Sequence, residues 1–121
     1  MRKTAATLWT VLILALCSIP GTELPEVDLL SADKIGHFLM FAGFGYLWSW
    51  ALGGASRRTA RRVFLFGLLC AVGSEIYQGI LPIGRDPSAA DAVANVAGLI
   101  TGIFLYGLRR SSSKKASKPR N

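Results

Sequence analysis

Residues 63–83 read VFLFGLLCAVGSEIYQGILPI, an apolar segment whose one charged residue is Glu75. Its length matches the roughly 20 residues that a helix needs to cross a hydrocarbon layer of about 30 Å. Three further segments are of similar length and composition: 4–22, 34–54 and 89–108. Backbone polar groups in lipid must satisfy one another, and no strand-like alternation is present. We therefore predict an all-α integral membrane bundle of four transmembrane helices.

The charged residues are few and unevenly placed. They make up 17% of the 121 residues, against 51% hydrophobic residues, and the formal net charge is +7. Twelve of the 14 Lys and Arg residues fall in three blocks without acids, at 2–3, 57–62 and 109–120. A soluble domain needs a polar face on each surface helix, which the four segments lack. The composition therefore argues against a soluble enzyme or a free nucleic-acid binder and favours one small multi-pass domain.

The three basic blocks predict the orientation of the helices. Lys and Arg are enriched in short cytoplasmic loops, and four spans place all three blocks on one side. We therefore expect an N-in/C-in protein of the cytoplasmic membrane, with an acidic external first loop at 20–32. The predicted transmembrane domain is 1–108, followed by a basic, disordered cytoplasmic tail at 109–121. The expected partners of this tail are anionic lipid headgroups, not nucleic acid.

The first segment has an alternative as a cleaved signal peptide, because Arg2 and Lys3 precede an apolar core that ends near Cys17. Leu16 is larger than the residue that a lipoprotein cleavage site prefers, and no suitably placed A-x-A site follows. We therefore treat this segment as the first helix, and the sequence leaves cleavage open. Cys17 and Cys70 are expected to be buried apolar residues.

The polar residues within these segments share one feature: they lie in the half nearest the external loops. They are Asp33, His37, Glu75, Gln78, Asp91 and Asn95. A rise of about 1.5 Å per residue brings them to similar depths on three helices, and polar groups inside a membrane need partners. We predict a shared pocket open to the outer leaflet, in which Glu75 and His37 lie under ~7 Å apart.

Small residues extend the polar face of the fourth helix. Gly98 and Gly102 form a GxxxG pair on the stripe that carries Asp91 and Asn95. Small residues let transmembrane helices approach closely, so that polar side chains meet across the interface. This stripe predicts that the fourth helix packs closely against a neighbour at the level of the polar residues.

Structural roles compete with functional ones at most of these positions. Asp33 is placed to cap the second helix, and Asp91 follows Ser88 at capping-box spacing. Asn95 has an equal claim to a role in holding helices together. Lys34 can extend to the outer headgroups, and Arg85 can pair with its neighbour Asp86 in the loop.

Two ionisable side chains are harder to interpret. Glu75 lies well inside a segment, where a carboxylate must be protonated, paired or reached by water. His37 is the only histidine of the chain. One histidine is a poor metal signature, so the sequence predicts no metal site.

Four short motifs occur in order along the chain: Asp33-Lys34-Ile35-Gly36-His37-Phe38, Glu75-Ile76-Tyr77-Gln78, Gly84-Arg85, and Asp91 with Asn95 and Gly98. They resemble the patterns D-K-x-x-H-F, E-x-x-Q, G-R and D-x-x-x-N-x-x-G of the VanZ-like family. The resemblance runs from about Asp33 to Leu108. It implies a cell-membrane protein with a role in the envelope and in glycopeptide (teicoplanin-type) resistance, but no reaction.

Together, these expectations describe a small envelope protein that binds or modifies a membrane lipid or lipid-linked precursor at the outer leaflet. If it is an enzyme, Glu75 and His37 are the candidate acid and base. The candidate substrate-binding residues are Asp33, Lys34, Gln78, Arg85, Asp91 and Asn95, among which Lys34 and Arg85 suit an anionic phosphate. The sequence does not identify a cofactor. The alternative is a non-catalytic accessory or structural membrane protein.

Overall fold

The computed structural model describes residues 1–20, 29–82, 84 and 88–117, with residues 29–31 described by their backbone alone. These residues form four α-helices and no strand: α1 (Arg2–Cys17), α2 (Leu29–Ala51), α3 (Arg57–Ile80) and α4 (Ala89–Ala116). The all-α prediction and the number of helices are therefore confirmed for the described part of the chain.

The helix ends follow local sequence signals. Ser56 caps α3, because its side chain accepts a hydrogen bond from the backbone N–H of Thr59. Ser88 caps α4 in the same way by accepting from the N–H of Asp91. After α2, Gly53 has a φ of 69°, a left-handed conformation that glycine adopts without a Cβ penalty. The chain therefore turns sharply between α2 and α3.

Helices α2 and α4 make the closest contact of the bundle, and glycine is its cause. A Cβ on Gly98 would lie 2.1 Å from the carbonyl oxygen of Phe38, and one on Gly102 would lie 2.0 Å from that of Ala42. Both clashes are with backbone atoms of α2, so no side-chain movement relieves them. The GxxxG pair thus packs as predicted, and its partner is α2.

Helix α1 is attached to α2 through two tryptophans. The indole of Trp9 occupies the space beside Gly43, and its Nε1–H donates to the carbonyl oxygen of Met40 at 2.9 Å. The Nε1–H of Trp48 donates in return to the hydroxyl of Thr10 at 3.1 Å. These contacts hold α1 against α2, over the aromatic core around Phe41 and Phe44.

The bundle is apolar outside and partly polar inside. Large apolar side chains are exposed on each helix, including Leu65, Leu69 and Ile80 of α3 and Val93 and Phe104 of α4. Buried positions include histidine, glutamate, glutamine and asparagine. Of the described helices, α3 and α4 are long and apolar enough to span a membrane. This distribution suits a lipid solvent, in which apolar groups face outward and polar groups meet within the bundle.

Two boundaries differ from the expectations. The basic segment expected to be disordered is helical over 109–116, because α4 continues to Ala116. Serines and lysines follow one another there without proline or glycine, so nothing in the sequence ends the helix earlier. At the other end of the chain, α1 stops at Cys17, earlier than the apolar segment at 4–22. Residues 118–121 lie outside the described part.

Candidate functional site

The candidate site residues lie at one end of the bundle. His37 is in the first half of α2, Glu75 is near the end of α3, and Asp91 and Asn95 are in the first two turns of α4. Because α2 and α4 run away from this end and α3 runs toward it, the three helices bring these residues to one level. All four side chains are at least nine-tenths buried.

Asn95 connects the other two side chains in the centre of this site. Its Oδ1 lies 2.9 Å from Nδ1 of His37, and its Nδ2–H donates to Oε1 of Glu75 at 3.4 Å. An amide oxygen only accepts, so Nδ1 of His37 carries the proton and donates it. The Nδ1 atom of His37 also lies 4.0 Å from Oε1 of Glu75. This distance is within the separation of under ~7 Å that was predicted for the two side chains.

The second oxygen of Glu75 binds the start of α4. Oε2 accepts a hydrogen bond from the backbone N–H of Ser88 at 3.1 Å. In a capping box this N–H would be taken by the acidic side chain three residues later, which here is Asp91. Glu75 takes that place from another helix, so α3 supplies part of the cap of α4. The hydroxyl of Ser88 still caps the N–H of Asp91 at 3.4 Å.

Two aspartate carboxylates lie close to the imidazole. Nε2 of His37 is 3.8 Å from Oδ1 of Asp33, one helical turn earlier on α2. Three potential ligand atoms lie within 4.8 Å of one another, one from each of Asp33, His37 and Asp91. The imidazole thus has Asn95 and Glu75 on its Nδ1 side and Asp33 near its Nε2 atom, with Asp91 close to both Asp33 and the ring.

The remaining candidates are placed differently. Gln78 is buried, but its Nε2–H donates to the carbonyl oxygen of Cys17 at 3.3 Å, which ties α3 to the end of α1. The hydroxyl of Tyr77 forms a 3.0 Å hydrogen bond with the hydroxyl of Ser18 in the same region. Lys34 lies on α2 beside Asp33 and is partly buried. Arg85 lies outside the described residues.

The basic residues lie at the opposite end of the bundle. The guanidinium of Arg2 lies 5.4 Å from the ring centre of Trp50 near the end of α2. Arg110 donates to the carbonyl oxygen of Gly53 at 2.6 Å, and Arg109 donates to the hydroxyl of Tyr46. The N-terminus and the end of α4 therefore share one end, as four antiparallel helices require.

One group of the site was not predicted from the sequence. The backbone N–H of Ser88 is the partner of Glu75, whereas the sequence suggested only that Ser88 caps its own helix. The absence of glutamate or glutamine at position 91 is the one available signal, because a shorter aspartate leaves room for a carboxylate from elsewhere.

The fold and this site together define a class: a small helical protein of the membrane, apolar on its outer surface, with a buried polar centre at one end. The particular family follows from comparison with known proteins. The VanZ/LLP1 family model matches residues 2–110, and the chain belongs to that family. No curated protein and no solved structure matches it.

Proposed function

We propose that this protein binds a phosphate-bearing envelope lipid or lipid-linked precursor at its polar centre, from the outer leaflet of the cytoplasmic membrane. It thereby contributes to glycopeptide resistance of the teicoplanin type. The observation that carries the proposal is the connected group His37, Asn95 and Glu75, which is buried inside a bundle whose outer surface is apolar. Such a centre is expensive in a membrane and is retained where it serves a site.

The placement of charge supports the topology in this proposal. All four helices span the membrane, and the end with Arg2, Arg109 and Arg110 faces the cytoplasm, where Lys and Arg are enriched. The polar centre then faces outward. Of the described helices, α1 has only 16 residues, and α2, with 23, is not among the two candidate spans. Because α2 packs closely on α4 and α1 is hydrogen-bonded to α2, both cross the membrane with the rest of the bundle.

A phosphate fits this end of the protein by charge. Lys34 on α2 and Arg85 between α3 and α4 are the two basic residues outside the cytoplasmic blocks. Their cations contact the phosphate, while the exposed aliphatic side chains near the same end, such as Ile35 and Ile80, contact the acyl or prenyl chain. If the bound lipid is also modified, His37 supplies or accepts the proton, with Glu75 positioning it through Asn95.

A non-catalytic structural role is the second candidate, and one contact favours it. Both oxygens of Glu75 accept hydrogen bonds from α4, one from Ser88 and one from Asn95. A carboxylate engaged in this way ties α3 to α4 whether or not a ligand is bound. In that case the protein is an accessory or stabilising module.

Lipid retention separates the two candidates. Protein purified in mild detergent is extracted, and phosphate-bearing lipids are counted per chain by mass spectrometry. We expect the wild type to retain such a lipid and the double variant Lys34→Gln/Arg85→Gln to lose most of it. The matched control is Arg57→Gln/Arg58→Gln, which removes the same charge from exposed positions at the other end and is expected to retain the lipid.

If both double variants retain the same amount of lipid, binding at the polar centre is contradicted. The structural role is then the better supported of the two candidates. Teicoplanin susceptibility of cells that hold equal amounts of each variant supplies the cellular readout. We expect Lys34→Gln/Arg85→Gln to behave like cells without the protein, and the control variant to behave like the wild type.

A further inference from the structure

We propose that Asp33, His37 and Asp91 form a binding site for one divalent transition-metal cation of the Zn²⁺ or Mn²⁺ type. The site uses the Nε2 face of the histidine, opposite the contacts with Asn95 and Glu75. The site shares His37 with the polar centre, but it does not rest on lipid binding, because it is defined by three side chains and is measured without any lipid ligand. A His37 that binds the ion through Nε2 is a ligand and not the proton donor or acceptor considered above.

The three donor atoms are already close to binding distances. They lie within 4.8 Å of one another, and Nε2 of His37 is 3.8 Å from Oδ1 of Asp33. Donors bound at about 2.1 Å around a tetrahedral ion lie roughly 3.4 Å apart. Rotation of the aspartate carboxylates, whose terminal torsions are broad, is enough to close the difference.

The histidine is oriented as a metal ligand. Its Nδ1–H is donated to Oδ1 of Asn95 at 2.9 Å, so the lone pair of a neutral ring lies on Nε2, which is the nitrogen near Asp33. Ligating histidines almost always donate their other N–H to a neighbouring acceptor. Asn95 is itself held by Glu75, which fixes the direction of the amide and hence of the ring.

Asp91 supplies an independent observation. Asp91 is buried, with 9% of its surface exposed. In a capping box its carboxylate would accept a hydrogen bond from the backbone N–H of Ser88. Here that N–H donates to Oε2 of Glu75 instead. Within the described residues its carboxylate accepts no hydrogen bond. The carboxylate of Asp91 is therefore available to a ligand beside Asp33 and His37.

The donor set selects the kind of ion. One imidazole nitrogen and two carboxylate oxygens suit Zn²⁺ and Mn²⁺, whereas Mg²⁺ and Ca²⁺ prefer oxygen alone. Three protein ligands also leave a position for water or another oxygen ligand, as in open metal sites. The thiols of Cys17 and Cys70 are the competing zinc ligands of the chain.

The test is direct metal analysis. Protein purified with a cleavable affinity tag, which is removed because the chain has one histidine, is stripped with EDTA. It is then dialysed against Zn²⁺ or Mn²⁺, freed of excess metal and analysed by inductively coupled plasma mass spectrometry. We expect about one ion per chain, since a preformed site binds without a folding cost. Mg²⁺ at the same concentration is expected not to be retained.

Variants locate the ion. His37→Gln and Asp91→Asn are expected to lose it, and Asn95→Ala to weaken binding by roughly 10–100-fold because it no longer orients the ring. A Cys17→Ser/Cys70→Ser variant is the control and retains the ion. Circular dichroism of each metal-free variant shows whether its helices are intact, so loss of metal is scored only in folded protein.

Three results would overturn the proposal. The first is a wild-type protein that retains neither ion after loading. The second is a cysteine variant that loses the ion while His37→Gln keeps it. The third is metal content that is unchanged in both folded His37→Gln and folded Asp91→Asn.

Discussion

Replacing Gly98 by alanine tests the link between helix packing and the polar centre. The added Cβ would lie 2.1 Å from the carbonyl oxygen of Phe38, whereas contacts under 3.0 Å essentially never occur. Helices α2 and α4 therefore have to separate by roughly 1 Å. Phe38 follows His37, and Gly98 lies three residues after Asn95, so the same displacement acts on the hydrogen bond between them.

The magnitude follows from two contributions. Overpacking of a tight contact costs about 1–3 kcal/mol. The bond between His37 and Asn95, now 2.9 Å, lengthens beyond hydrogen-bonding distance and adds about 1 kcal/mol. We expect Gly98→Ala to lower the free energy of unfolding by about 2–4 kcal/mol in total.

The assay is reversible unfolding in mixed micelles, followed by circular dichroism. Gly107→Ala is the matched control on the same helix, because no atom lies within 4 Å of its added Cβ. It is expected to be neutral or slightly stabilising, since alanine favours the helix over glycine. Equal destabilisation by the two substitutions would refute the proposed packing of α2 on α4.

Three further predictions follow from the site and the topology. Glu75→Gln keeps one acceptor but places an amide N–H against Ser88 or Asn95, so it should lower the free energy of unfolding by about 1–3 kcal/mol. If Glu75 also takes part in binding or modifying the lipid, the Glu75→Gln variant should confer less teicoplanin resistance than the wild type when both are present at equal membrane levels. Unchanged resistance would contradict that role. Ser88→Ala removes only the hydroxyl cap and should cost about 1 kcal/mol in the same unfolding assay, less than Glu75→Gln. Reporter fusions after residue 121 and within 23–28 should report a cytoplasmic and an external location; an external C-terminus would reverse the polar centre to the inner leaflet.

Much of the fold was predictable because a membrane imposes few solutions. Apolar segments of one length predicted four helices, and the spacing of Gly98 and Gly102 predicted a close helix contact. The partner of that contact was not predictable, because glycine on α4 does not indicate which neighbour approaches it. The end of α4 was misplaced for a different reason: a change from apolar to basic residues marks the limit of the lipid, not the end of a helix.

The sequence predicted the depth of the candidate site residues in the membrane, but not which side chains contact one another. Helical rise placed His37, Glu75 and Asn95 at one level, and the structure joins them. Gln78 satisfied the same depth argument, yet it binds the backbone of Cys17 on α1. Depth does not specify rotation about the helix axis, and three residues along α3 were enough to direct Gln78 to a different neighbour.

The protonation of His37 tests the central claim most directly, because the chain has one histidine and its nitrogens can be labelled alone. The claim is that His37 donates from Nδ1 to Asn95 inside a buried polar centre. Nitrogen-15 NMR of the protein in lipid bilayers at pH 8 should show a protonated Nδ1 that exchanges slowly with water. Asn95→Leu should remove that protection. A ring protonated on Nε2 alone, or one that exchanges as fast as an exposed histidine, would contradict the account.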